Sequence, residues 1–389
     1  MKNILFIIGK SQYDSTKLFL TEMAEALKDK GFNVDILTAY DEEDFVSKRK
    51  SLDMHNYHAI FTVNGMALEP GSTLGRVLLQ NNVLYCTMLM DHPYIHHRRL
   101  QNQYEHIFVM SPDMEHTDYL DRYYPNIRYT GFLPHAGCRA ENIRPYSERE
   151  IPVSFMGSYS APEMTMKQIK SYPPQMSAIL QETIQLILSN PQYSVNQAVY
   201  ILMHEKGAAN EHTNFADICP EFHTVDTYIR RYYRDKVIRT IAEAGIPIDV
   251  YGDGWEQMHF SGHTNLHIHP RIDFKDSLEI TGNSKISLNI MPWFKAGSHD
   301  RVFSAMLCGS LCLTDSSIYL EQACTSRENI LFYSLEQLET LPGIIEKTLA
   351  DEKRAAVIAR KGQALAEEKH TWANRAEEFI DYLAQIEQS

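Results

Sequence analysis

No stretch of this sequence approaches the roughly 20 consecutive apolar residues that a membrane-crossing helix needs. The opening apolar run, Ile4 to Ile8, is shorter than the core of a secretory signal, and no small-residue cleavage site follows it. The expectation is a cytoplasmic chain without a transmembrane segment. Positive charge is also scarce: 37 Lys and Arg stand against 50 Asp and Glu, a formal net charge of −13. That balance argues against a nucleic-acid partner, which needs a basic footprint. The six cysteines are scattered, and Cys308 and Cys312 lack the two-residue gap of a zinc knuckle. They read as small buried residues of a reducing compartment. Two nucleotide signatures are broken. Gly9-Lys10-Ser11 lacks the first glycine of a P-loop, because Ile4 holds that place, and Gly252-Asp253-Gly254-Trp255 lacks the third glycine of a dinucleotide fingerprint, because Gln257 does. A nicotinamide cofactor is therefore poorly supported.

What is present is an α/β pattern on a chain of 389 residues, long enough for two domains. NILFII, an amphipathic helix over about 16–30 stopped by Gly31, and NVDILTA form a β–α–β opening. HAIFTVN, VLYCTML, HIFVMSPDM and IRYTGFLPHAG supply further strands of a first domain over 1–145. VLYCTML runs into Asp91 and His92, where residues past the carboxyl end of a parallel strand face the ligand crevice. Asp91 is a candidate base there, although it also suits a turn cap, and His92 suits a turn fixed by Pro93. His96 and His97 are adjacent, so their side chains diverge and a solvated helix start explains them better than a metal site. CRAENIRPYSERE reads as a linker, and IPVSFMGSYS opens a second domain over 150–371. Within it, about 161–230 has helical periodicity without strand signals and reads as an inserted helical segment. WANRAEEFIDYLAQI forms a last helix within 372–389.

Residues 284–316 hold the strongest pattern. A buried strand, a polar loop from Lys295 to Asp300, a helix from Arg301 to Cys308, a stop at Gly309 and a second buried strand follow one another. The first N–H groups of a helix lack partners and its dipole favours negative charge, so this arrangement makes an anion site. Asp300 is the expected N-cap, and Arg301 adds a planar fork suited to phosphate. An ordinary strand–helix–strand unit with an exposed loop explains the same residues.

RVFSAMLCGSLCLTD, preceded by SKISLNI and followed by KHTWANRA, resembles the C-terminal half of CgeB-like, spore-maturation-type glycosyltransferases. Arg301, Phe303, Ala305, Cys308, Gly309, Thr314 and Asp315 carry the resemblance, while Ser304 stands where that group has Glu. The resemblance implies the GT-B fold: two facing Rossmann-like domains, the first on the acceptor side and the second binding a nucleotide-sugar donor. It implies that the last helix crosses back to the first domain. Donor contacts implied on the strand-end turns are Gly157 and Ser158, then Gly252, Asp253, Gly254 and Trp255, with His269 and Pro270 near the base. Around the phosphates it implies Asn289, Lys295, Gly297, Ser298 and His299, with Asp300, Arg301, Val302 and Phe303 in the helix start. Arg301 would stabilise the leaving diphosphate and Asp91 would activate the acceptor. No Asp-x-Asp pair occurs in the chain, which favours the metal-free class with no cofactor beyond the donor substrate, UDP-sugar being favoured. The acceptor expected is a glycan or protein hydroxyl. A catalytically idle relative is the alternative, because the missing Glu holds the donor ribose in many related enzymes.

Overall fold

A computed structural model describes residues 2–9, 14–39, 41–48, 52–66, 68–69, 71–81, 83–101, 105–210 and 213–389. Lys10 and Ser11 of the broken P-loop signature lie outside the described residues. The chain divides into two compact units, one of Met1–Ala136 with Lys369–Ser389 and one of Gly137–Glu368.

The first unit is a six-stranded sheet in the order β2-β1-β3-β4-β5-β6, every pairing parallel. Its strands are β1 (Asn3–Ile8), β2 (Asn33–Thr38), β3 (Ala59–Val63), β4 (Leu84–Met88), β5 (Ile107–Ser111) and β6 (Tyr129–Phe132). Ile4 to Ile8 are all buried, as a central strand covered on both faces requires. The last helix, Trp372–Gln388, belongs to this unit. Trp372 stacks on Phe19 at 4.8 Å, and Phe379 meets Phe61 edge-on at 5.0 Å. Arg375, 1% exposed, donates from Nε to the Pro134 carbonyl at 2.7 Å and from Nη1 to Glu378 at 2.6 Å.

The second unit has strands β7 (Ile151–Met156), β8 (Ile248–Tyr251), β9 (Leu266–His269), β10 (Ser284–Asn289), β11 (Leu311–Asp315) and β12 (Leu331–Tyr333). They form a second all-parallel sheet in the order β12-β11-β10-β7-β8-β9. Between β7 and β8 come helices Pro162–Lys170, Pro174–Ser189, Val195–Glu205 and Phe215–Ile218, then the long helix His223–Glu243. Proline opens the first two, where its missing N–H costs nothing. Among the described residues no strand interrupts this segment.

The division of the chain differs from the sequence reading at the boundary. The segment expected as a linker is built into the second unit. Arg149, 5% exposed, donates to the carbonyls of Arg144, Ser284 and Cys308, and the Glu279 carboxylate accepts from the N–H groups of Glu141 and Asn142. Polar residues that looked like a solvated connection are there to satisfy backbone groups at the sheet margin. All six cysteines are buried thiols. Among the described residues no helix is long and apolar enough to cross a membrane.

Candidate functional site

In the second sheet the chain runs outward through β7, β8 and β9, then returns to place β10 on the other side of β7. The crevice past the carboxyl ends of β7 and β10 is thus the topological switch point, where open parallel sheets bind ligands. Arg301 reaches this spot. Its Nη1 donates to the Met156 carbonyl at 3.0 Å and its Nε to Asn289 Oδ1 at 3.0 Å, with a long contact of 3.5 Å from Nη2 to the Ile290 carbonyl. One guanidinium therefore ties the two strand ends together. Asn289 is 1% exposed and its Nδ2 donates to Thr314 Oγ1 at 2.9 Å, so its side chain orients Arg301 and has no face for a ligand.

The helix behind this crevice runs Asp300–Leu307, and its N-cap is His299, not Asp300. Asp300 already has helical backbone. His299 Nδ1 lies 3.3 Å from the Arg301 N–H and 2.7 Å from Asp300 Oδ1. A single ring nitrogen serves one of these at a time, accepting from the amide when bare and donating to the carboxylate when protonated. The helix is amphipathic, and Val302 and Phe303 are wholly buried among Met291, Phe294, Met306 and Leu320. Their side chains are core, so any contact they make with a ligand is through backbone N–H. The preceding loop is braced from two sides: Lys295 Nζ donates to the Pro191 carbonyl at 2.6 Å, and Ser317 Oγ donates to the Gly297 carbonyl at 2.5 Å. Ser298 is fully buried. Lys295 thus reaches into the helical segment between β7 and β8.

Glycines in the other two turns serve packing of one turn on the other. A Cβ on Gly252 would sit 2.6 Å from the Gly157 carbonyl oxygen, and one on Gly254 (φ +87°) would sit 2.4 Å from that of Tyr159. The turns are then stitched: Tyr159 N–H donates to the Asp253 carbonyl at 2.8 Å, and Asp253 N–H to Ser158 Oγ at 3.2 Å. Trp255, implied as a donor contact but suited equally to core, is completely buried and donates from Nε1 to the Gly157 carbonyl at 2.8 Å. It props the turn from below. His269 is half-exposed; its Nε2 is 2.6 Å from Asp249 and its ring stacks on Tyr251 at 4.3 Å. Pro270 and Asp253 are exposed beside it, with Arg271 3.6 Å from Asp253.

A buried carboxyl stabilises the floor. Asp315 accepts from the Met291 N–H at 2.8 Å and lies 3.5 Å from the Tyr333 hydroxyl, which donates to the Asn289 carbonyl at 3.0 Å. Burial raises its pKa from 3.8 to about 6, against the opposing pull of these donors and of Lys295. A raised carboxyl pKa means that the folded chain holds this proton more tightly than the unfolded one. The group's contribution to stability is therefore greatest below about pH 4 and declines as pH rises through 6, by on the order of 3 kcal/mol. Asp315→Asn should remove that decline, so the variant's melting temperature relative to the parent should rise between pH 4 and pH 7. Calorimetric scans at both pH values check this, and an unchanged difference would contradict it.

Asp91 belongs to the first unit and every other candidate to the second. It follows β4, half-buried, next to Met90, whose N–H donates to Asn64 Oδ1 at 2.7 Å. His92 is buried among Tyr94, His116 and Tyr119, and its Nδ1 accepts from the Tyr94 N–H at 3.2 Å, so it is a structural histidine. Ser304 is also buried, and its Oγ accepts from the Cys138 N–H at 3.1 Å. Gly137 lies so close that a Cβ would meet the Phe303 carbonyl carbon at 2.3 Å. Sequence reasoning did not single out Asp315 as a buried acid.

Solved structures share this architecture of two six-stranded parallel sheets. A sucrose-phosphate synthase from Thermosynechococcus elongatus superposes with a TM-score of 0.60 at 13% identity, covering 99% of each chain. Anabaena Alr3699/HepE, solved with UDP and glucose, gives 0.57 at 12% identity, covering 99% of this chain and 100% of that one. The fold is GT-B. An alpha-glucosyltransferase solved with UDP and a 13-mer DNA shares this GT-B fold at 0.58 and 10% identity, covering 98% of this chain and 99% of that one. Residues 230–381 match a family described as glycosyl transferase-like. That match contains β8 to β12 and the Arg301 helix, which form most of the GT-B domain just described. No curated protein matches the chain in sequence.

Proposed function

We propose that this chain is a metal-independent glycosyltransferase of the CgeB-like type, moving a sugar from a nucleotide-diphosphate sugar to a hydroxyl of a glycan or protein. UDP is the favoured carrier, since HepE and the alpha-glucosyltransferase were solved with UDP. The observation that carries the reading is the placement of Arg301 at the switch point of the second sheet, at the start of a buried helix. Departure of a diphosphate builds negative charge. A guanidinium and helix N–H groups already fixed in place stabilise it without reorganising. Asp91 is the proposed base for the acceptor hydroxyl, with the reacting hydroxyl's proton passing to its carboxylate.

A second reading, a GT-B relative that binds donor without turning it over, is favoured by Ser304. The hydroxyl standing where related chains have Glu is used internally, on Cys138 N–H. The two readings separate on incubation with a panel of nucleotide sugars. The transferase slowly hydrolyses at least one donor even without acceptor, and Asp91→Asn slows transfer while leaving donor affinity intact. Donor binding with no hydrolysis and no transfer to any hydroxyl would support the idle relative instead.

A further inference from the structure

The first sheet has a switch point of its own. The chain leaves β1 for β2 on one side and returns to place β3 on the other, so the crevice past β1 and β3 is where such a sheet takes a ligand. Asn64 is the first residue past β3 there. It stands in left-handed backbone (φ 57°) and is followed by Gly65 (φ 63°). The Met66 N–H donates to the Val63 carbonyl at 3.1 Å, which closes the tight turn that an Asn-Gly pair favours. Glycine would meet the backbone demand at position 64 with less strain. What asparagine adds is its amide.

Half of that amide is engaged. Its Oδ1 accepts from the Met90 N–H at 2.7 Å, and because that partner is a donor, it decides which end of the amide is oxygen. The Asn64 N–H donates to the Met88 carbonyl at 2.9 Å, and the Asn64 carbonyl accepts from Arg99 Nη1 at 2.7 Å, with Arg99 paired in turn to Glu69 at 2.6 Å. Among the described residues nothing accepts from Asn64 Nδ2, and the residue is only half-buried. A hydrogen-bond donor is thus held in a fixed direction at a ligand crevice, bonded to the residue that immediately precedes Asp91.

We propose that Asn64 is an acceptor-binding residue whose Nδ2 holds one hydroxyl oxygen of a glycan while the neighbouring hydroxyl faces Asp91. This rests on the assignment of Asp91 as the base and narrows the acceptor from any hydroxyl to a sugar. A fixed amide donor beside a carboxylate matches two adjacent hydroxyls of a sugar ring: the oxygen of one accepts from Nδ2, and the other gives its proton to the carboxylate as it attacks. A lone serine or threonine hydroxyl fills one of these places and leaves the other to water. The donor is set in advance by the turn and by Met90, so binding does not have to orient it.

The test compares two rates of the full chain with UDP-glucose: hydrolysis without acceptor, and transfer to a panel of methyl glycosides or to a peptide rich in serine and threonine. The parent should prefer a glycoside. Asn64→Asp keeps the oxygen that accepts from Met90 and replaces the Nδ2 donor, so kcat/KM for the glycoside should fall by about tenfold while hydrolysis stays within about twofold. Rates are compared on the alkaline plateau of each pH profile, where the added charge no longer alters protonation. Asn64→Gly suits the turn but loses the bond to Met90 as well, and gives the reading if the Asp variant does not fold: transfer should then fall further than hydrolysis. Equal losses in the two rates would show that Asn64 only pins the loop before Asp91, and undiminished transfer would remove it from the site. Either outcome, or a parent that prefers the peptide, overturns the proposal and leaves the transferase standing. A parent that neither hydrolyses nor transfers from any nucleotide sugar would overturn both.

Discussion

Arg301→Ala is expected to reduce UDP affinity by about a hundredfold or more and to lower stability by about 2–4 kcal/mol. Two separate losses add up here. The ligand loses the fixed cation at the switch point. The protein loses the donor that ties Met156 to Asn289, leaving a carbonyl and an amide oxygen unpaired at the end of two central strands. Asp91→Ala, on the other unit, should leave UDP affinity near the parent value. The pair of titrations separates binding from stability when thermal melts show both variants folded at the titration temperature. An affinity loss with Asp91→Ala as large as with Arg301→Ala would mean that donor and acceptor sides are assigned the wrong way round.

Arg375→Ala is expected to be strongly destabilising, by about 2–4 kcal/mol, because it removes the donor of buried carbonyls. Its guanidinium is 1% exposed and serves the Pro134 carbonyl, Glu378, and more distantly the carbonyls of His135 and Lys369. Truncation leaves the carbonyls without their donor, while the Glu378 carboxylate, 42% exposed, turns to water. Because this arginine fastens the helix Trp372–Gln388 to the first unit, the variant should be cleaved near residue 370 under limited proteolysis before the rest of the chain unfolds. A denaturation midpoint and cleavage pattern like the parent's would contradict the assignment of Arg375 as the fastener.

The sheets were legible because buried parallel strands announce themselves as apolar runs, unbroken from Ile4 to Ile8 in NILFII and alternating at Ile286, Leu288 and Ile290 in SKISLNI. The helix starting near residue 300 was legible because a polar loop precedes it and Gly309 stops it. Its N-cap was not: His299 and Asp300 both accept hydrogen bonds, and only backbone angles separate the capping residue (φ −92°, ψ 146°) from the first helical one. Trp255 shows a deeper limit. An indole at a glycine-rich turn suits base stacking or core equally well in sequence, and the decision came from a carbonyl 98 positions away that its N–H reaches. Glycines 252 and 254 were read as openings for a ligand, whereas the first demand on them is the approach of the Gly157–Tyr159 backbone. Polar residues 138–150 looked like a linker because sequence shows their polarity and hides what that polarity satisfies.

Crystals soaked with UDP give the most direct measurement of the central claim. The account predicts the diphosphate at the carboxyl ends of β7 and β10, with phosphoryl oxygens within hydrogen-bond distance of the Arg301 guanidinium or the N–H groups that open the helix Asp300–Leu307. Clear density for UDP at the strand ends of the first sheet, or anywhere that leaves Arg301 untouched, would contradict it.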